Sequence, residues 1–284
     1  MEVDGVLYAS QWYNALDSTG RNLWYYYTEN GSLFRNAWYK SVENGVETWE
    51  YYGDDCGEYY GYQTIKGKNY YFDPYSGQLK KNAVVESDDG NTYVCDKSGI
   101  ATRLPENGWA SAGGNYFYME NNTRVKNDVR KIKNVWYGFD EDGKMYDNRA
   151  FTLYRIVDGK MQVDSFRAKA GGALYTGTWY EDTEWHDKFY YQSDARAAVG
   201  ACTIDNKLYV FLSNGVLQLG STTKVDGKLY LSAENGEAVL MPEGKWTKFK
   251  GKWYYNPSGY LVTDAVTEIG GKTYVFGHDG RLYE

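Results

Sequence analysis

Trp246 and Trp253 stand seven residues apart, and the same interval separates Trp109 from Tyr116. In neighbouring stretches the first position relaxes to Val84, Val129 or Val266, and the second to Asn69, Thr92, Leu208, Leu229 or Thr273. Aromatic faces repeated at a fixed interval can do one kind of chemistry, which is non-covalent capture. Stacked rings hold the apolar face of a pyranose, or an ammonium through cation–π attraction of ~0.5–2 kcal/mol. Each such site is weak, so binding through them draws on several sites in series.

The side chains of covalent and acid–base chemistry are sparse. His186 and His278 lie in different stretches and outside any metal-binding frame, and both read as surface turn residues. No nucleophile elbow or phosphate loop occurs. Asp140-Glu141-Asp142-Gly143 resembles the opening of a calcium loop but lacks the later ligands and the Glu at position 12, so it reads as a turn. The acidic runs Asp54-Asp55 and Glu181, Asp182, Glu184 read as solvated faces. A retaining glycosidase needs two carboxylates about 5 Å apart in a cleft, and a repeating array of small elements offers no obvious cleft. The chain is expected not to be an enzyme, to use no cofactor and to hold no metal.

Composition agrees with capture by rings. The 284 residues include 31 Tyr and 10 Trp but only 5 Met and 4 Pro; aromatics make up 18%, yet mean hydropathy is −0.68. Such a chain buries a thin aromatic core rather than a thick aliphatic one. A net charge of −7 and a pI near 5.1, with no basic patch, argue against nucleic acid as a partner. Cys56, Cys95 and Cys202 form neither a zinc spacing nor a disulfide framework and are expected to be unpaired. No run approaches ~18 apolar residues, so membrane insertion is not expected. Met1-Glu2-Val3-Asp4 is not a signal peptide. The sequence opens within a repeat, so a signal and further domains are expected to lie outside it.

The elements that would position these rings are short strands and turns. Turn positions recur at Gly5, Gly31, Gly57, Gly77, Gly99, Asn122, Gly143, Gly172, Ala195, Gly215, Gly236, Gly259 and Gly280, 20 to 29 residues apart. Ala195 fits least well, which predicts a bulged or differently formed turn there. The aromatic triplet Trp253-Tyr254-Tyr255 predicts the first strand of a hairpin, with the turn at Pro257-Ser258-Gly259 and Tyr260-Leu261-Val262 starting the return strand. Asn30-Gly31, Asp142-Gly143, Asn214-Gly215, Asn235-Gly236 and Asp279-Gly280 read as the hairpin turns. Asp89-Gly90, Asp158-Gly159, Asp226-Gly227 and Gly270-Gly271 read as the links entering each hairpin. An offset of about 137 residues superposes Trp109 on Trp246 and Tyr137 on Tyr274. Gly172 to Tyr180 likewise matches Gly31 to Tyr39 and Gly5 to Tyr13. Two blocks follow, 1–150 and 151–284, the second an internal copy of the first, and the alternative is one continuous solenoid. A lone hairpin is marginal in water, so the fold class expected is all-β, an elongated β-solenoid of stacked hairpins.

Gly251 to Leu261, Gly67 to Leu79, Gly271 to Leu282 and Ser32 to Tyr39 resemble the cell-wall-binding repeat superfamily. That superfamily includes choline-binding modules, glucan-binding repeats of glucansucrases and the C-terminal repeats of large clostridial toxins. The resemblance implies ligand sites between consecutive hairpins, built from a linker Trp, the first ring of the triplet and a Tyr of the next hairpin. Carried onto this chain, these are Trp246, Trp253 and Tyr274, with Trp109, Tyr116 and Tyr137 as the internal copy. Trp38 with Trp49 and Trp12 with Trp24 match at a longer spacing. The implied function is a non-catalytic module attaching a larger secreted protein to a carbohydrate or choline-bearing polymer at a bacterial cell surface. The alternative is a structural spacer or a protein-interaction rod without a small ligand, in which the rings serve to pack hairpin on hairpin.

Overall fold

The computed structural model describes residues 2–3, 6–7, 10–16, 20 and 22–283. Gly5, the first expected turn, lies outside the described residues, as does Tyr8 of the matched stretch. The chain divides into two compact units, Met1–Asp128 with Phe139–Met145, and Val129–Gly138 with Tyr146–Glu284.

Among the described residues every regular element is a strand, and the strands form 13 small sheets of two or three strands each. The hairpin around Trp253 shows the design. Strand Lys245–Phe249 pairs antiparallel with Lys252–Asn256, setting Trp246 opposite Tyr255 and Lys248 opposite Trp253. The turn between them is Lys250-Gly251, with φ of 48° and 79°. Two successive left-handed residues make a type I′ turn, whose twist matches that of the strands.

This corrects the expected frame. The aromatic triplet is the second strand of its hairpin, and residues 257–260 are bends on the way to the next hairpin rather than a tight turn. The dipeptides read as entry links at Asp158-Gly159, Asp226-Gly227 and Gly270-Gly271 are themselves type I′ turns, with both residues at positive φ. Asp89-Gly90 likewise lies inside a hairpin, between strands Ala83–Glu86 and Thr92–Cys95. In the other set only the glycine is left-handed: Gly215 (φ 85°) and Gly280 (φ 74°) each close a single turn in the segment that follows a hairpin. The Gly215 N–H donates to the Leu212 carbonyl and the Gly280 N–H to the Gly277 carbonyl, both at 2.9 Å. Ala195 takes the same conformation (φ 69°), fully buried, and its N–H donates to the Gln192 carbonyl at 2.9 Å. That segment is therefore not differently turned.

Side-chain alternation then separates core from surface. The ring near the end of the second strand is buried in one hairpin after another, as Tyr52, Phe72, Phe139, Phe211 and Phe276. Tyr71 is buried too, while Tyr209 is half-buried. Small clusters form around these rings, such as Tyr51, Ile65 and Phe72, or Ala198, Ile204, Phe211 and Leu217. All three cysteines are free, and burial pushes the Cys95 thiol up to about 11.

Consecutive hairpins are joined by one recurring backbone bond. At several joints a residue that follows the turn after a hairpin donates its N–H to the second strand of the preceding hairpin: Leu79 to the Trp49 carbonyl (2.7 Å), Leu217 to Lys188 (2.8 Å) and Leu282 to Trp253 (2.9 Å). The turns also interlock. A Cβ on Gly236 would meet Leu217 Cδ2 at 2.5 Å, and Gly236 has φ of 83°. Both the close approach and the backbone conformation there require glycine.

Candidate functional site

The strand register puts four side chains on one face of each hairpin. On the hairpin around Trp253 they are Trp246, Lys248, Trp253 and Tyr255. Trp246 lies within strand Lys245–Phe249 rather than in a linker, and Trp109 likewise lies in Gly108–Ala112. The Trp246 indole packs on Tyr255 of its own hairpin (centroids 5.0 Å) and on Tyr274 (4.9 Å) and Phe276 (5.7 Å) of the next. Trp253 remains 43% exposed. Together Trp246, Trp253, Tyr274 and Leu282 line an open groove of about 290 Å³. The structure thus brings the three sequence-derived rings together and adds Leu282, positioned by the backbone bond to the Trp253 carbonyl.

The same arrangement recurs at Trp38. This ring packs on Tyr51 (5.1 Å) of its own hairpin and on Tyr70 (5.0 Å) and Phe72 (5.9 Å) of the next. Trp49 takes the place of Trp253, opposite Lys40, and Leu79 takes the place of Leu282. The longer spacing has a simple cause. The strands Ala37–Glu43 and Val46–Tyr52 have seven residues, so the hairpin arms extend further before turning. Lysines lie over the corresponding rings in both copies, the half-buried Trp49 and the exposed Trp253. Lys81 Nζ sits 4.9 Å and Lys40 Nζ 5.6 Å from the Trp49 ring centre, and Lys248 Nζ sits 5.7 Å from that of Trp253.

Trp12 and Trp24 also meet in a groove, of about 270 Å³, but its other wall is acidic. Trp12 packs on Tyr26 (4.9 Å), Tyr39 (5.2 Å) and Tyr52 (5.8 Å). Glu50 and Glu58 complete the lining. Burial pushes the Glu58 carboxyl up to about 7, although the Tyr60 hydroxyl donates to it. Glu50 is raised for the same reason and accepts from the Tyr52 hydroxyl at 3.1 Å. Sequence spacing named the two tryptophans and missed both carboxylates, which lie one hairpin away.

In the first unit, Trp109 packs on Tyr118 (5.2 Å) and Phe139 (5.8 Å). Tyr116 is 55% exposed, and its carbonyl accepts from the Met145 N–H at 2.8 Å. Tyr137, the third residue of that expected trio, belongs to the second unit.

One groove went unread in the sequence. Trp179 packs on Tyr190 (5.2 Å), Tyr209 (5.0 Å) and Phe211 (5.9 Å), reproducing the Trp246 pattern. Lys188 occupies the place of Trp253, opposite Glu181. The match of Gly172–Tyr180 to Gly31–Tyr39 carried the signal for Trp179. No spacing rule could reach Lys188, because it is not aromatic.

The two histidines lie on the surface, His186 beside Glu181 (3.3 Å) and His278 beside Asp264 (2.7 Å). Asp140 Oδ1 accepts from the N–H groups of Asp142 and Lys144 at 3.0 and 2.8 Å, so the apparent calcium-loop opening is a hydrogen-bonded turn.

No protein-family model matches the chain. Glucosyltransferase-S of Streptococcus mutans is 28% identical over 236 residues, covering 82% of this chain and 15% of that protein. Glucosyltransferase-I of Streptococcus downei is 29% identical over 286 residues, covering 93% of this chain and 14% of that protein. The chain therefore spans about one seventh of the length of these relatives. Choline binding protein F of Streptococcus pneumoniae superposes with a TM-score of 0.39 at 18% identity, covering 96% of this chain and 99% of that one.

Proposed function

From a chain that carries the repeats of the cell-wall-binding superfamily we infer a non-catalytic carbohydrate-binding module. It holds a larger secreted protein on a polysaccharide at a bacterial cell surface, through the grooves between hairpins. One observation carries this reading. The packing that lines the groove of Trp246, Trp253, Tyr274 and Leu282 recurs where Trp38 meets Tyr70, with Trp49 and Leu79 joined by the same backbone bond. Packing alone does not call for it, since the exposed Trp253 face adds little to the core. The shared backbone bond supports a further proposal: within each unit the hairpins wind as a β-solenoid, in two blocks of sequence, 1–150 and 151–284.

Of the two ligand classes, the lysines favour sugar. Lys40, Lys81 and Lys248 lie over the very rings that would receive an ammonium. A choline headgroup would have to displace them, whereas a pyranose can stack on the ring and accept hydrogen bonds from the lysines. The test is parallel retention of the intact chain in gels carrying α-glucan or cell-wall polysaccharide and on a choline matrix. Retardation by polysaccharide with weaker retention on choline is expected. Retention on neither would favour the spacer reading, in which Trp246 and Trp38 serve only to join hairpins.

A further inference from the structure

The groove beside Trp179 differs from its copies in a way that defines a ligand. It measures about 390 Å³, against 290 Å³ at Trp253, and is lined by Trp179, Tyr209, Leu217, Glu181, Lys188 and Asn235 among others. Trp179 is 37% exposed, and Tyr209 and Leu217 complete an apolar wall. Where the Trp253 groove has a lysine on one strand and a ring on the other, this groove has Glu181 on the first strand and Lys188 directly opposite. Lys188 Nζ lies 3.6 Å from a Glu181 carboxylate oxygen, and both side chains are about half exposed.

We propose that this groove is a subsite for an uncharged pyranose with adjacent hydroxyls. The proposal rests on reading the inter-hairpin grooves as carbohydrate sites. The sugar's apolar face lies on the indole of Trp179. One hydroxyl donates to the Glu181 carboxylate while its neighbour accepts from the Lys188 ammonium, and the Asn235 amide adds a further donor and acceptor to the lining. A cationic ligand meets Lys188 at the position where a cage would need a third ring. An anionic ligand meets Glu181. A neutral polyol satisfies both groups, donating to one and accepting from the other. An exposed ion pair contributes little to stability, so Glu181 and Lys188 can re-pair with hydroxyls without unsettling the hairpin.

The experiment is a titration of the intact chain, followed at the tryptophan indole N–H resonances and assigned through Trp179→Phe and Trp253→Phe. The probes are isomaltotriose (neutral), choline (cationic) and glucuronate (anionic). The Trp179 resonance is expected to move with isomaltotriose and not with choline or glucuronate. Because Trp179 also packs on three rings, its removal could disturb the fold, so the decisive variant is Glu181→Ala with Lys188→Ala. It should weaken isomaltotriose binding at Trp179 about five-fold or more, leaving the response at Trp253 unchanged. A Trp179 resonance that stays still while that of Trp253 moves overturns the subsite but not the carbohydrate reading. Movement of Trp179 that is equal for choline or glucuronate overturns the assigned ligand class. If no indole responds to the sugar, the carbohydrate reading falls with it.

Discussion

Trp246 and Trp253 sit on one face of one hairpin, yet their surroundings set them different tasks. Trp246 is half-buried against three rings, so truncating it removes a ring from the joint between hairpins. Trp246→Ala should destabilise the protein by about 3–5 kcal/mol, read as a lowered denaturant midpoint. Trp253 projects into the groove, and Trp253→Ala should leave that midpoint nearly unchanged. Glu58 sets a second residue-scale expectation. Its folded pKa of about 7 lies above the ordinary value of 4.5, so the folded state keeps this proton to higher pH than the unfolded state does. The contribution of Glu58 to stability is then full below pH 4.5, falls as pH rises from 4.5 to 7, and is level above that. Glu50 is raised too and contributes in the same direction. Thermal midpoints measured from pH 5 to 7.5 should fall in the wild type, and Glu58→Gln should flatten the slope. Glu237, held down at about 2 by hydrogen bonds from Lys207 and Lys250, acts only below pH 4.5 and in the opposite sense. A slope that persists in Glu58→Gln would show that other groups carry it.

At the scale of the element, the repeat rests on where left-handed residues fall. Gly236→Ala combines a positive φ with overlap against Leu217. It should cost about 2–4 kcal/mol from backbone strain and overpacking together, seen as a lower midpoint. Substituting Gly159, which has positive φ but open space around it, should cost less. The sequence made the hairpins legible, because aromatic runs punctuated by Asn-Gly and Asp-Gly have few other readings. It did not reveal which turn was the tight one. Asp226-Gly227 and Asn235-Gly236 look alike as dipeptides and both lie between paired antiparallel strands; what separates them is that Asp226 is left-handed as well as its glycine, whereas in the second pair only Gly236 is. The same limit governed the grooves. Trp246 and Trp253 could be found because both partners are aromatic and lie on one hairpin. Lys188 could not, since it is polar, and Glu50 and Glu58 are polar and also lie outside the hairpin that carries Trp12 and Trp24.

At the scale of the whole molecule, the internal repetition carries the expectation that blocks of hairpins fold without the rest of the chain. A fragment of residues 22–148 should unfold cooperatively in denaturant, with neighbouring hairpins supplying one another's stability. A fragment that shows no folded baseline would place the division of the chain elsewhere. Capture by several weak grooves also predicts how binding should decline. Loss of one groove lowers avidity in a step, and loss of two lowers it by more than either alone.

The most direct test of the carbohydrate reading is affinity electrophoresis of the wild type, Trp253→Ala and the double variant Trp49→Ala, Trp253→Ala through gels with increasing α-glucan, with near-ultraviolet circular dichroism confirming that each remains folded. The grooves at Trp49 and Trp253 predict progressively weaker retardation across the three proteins. A folded double variant that is retarded as strongly as the wild type, or a wild type that the glucan does not retard at all, would contradict it.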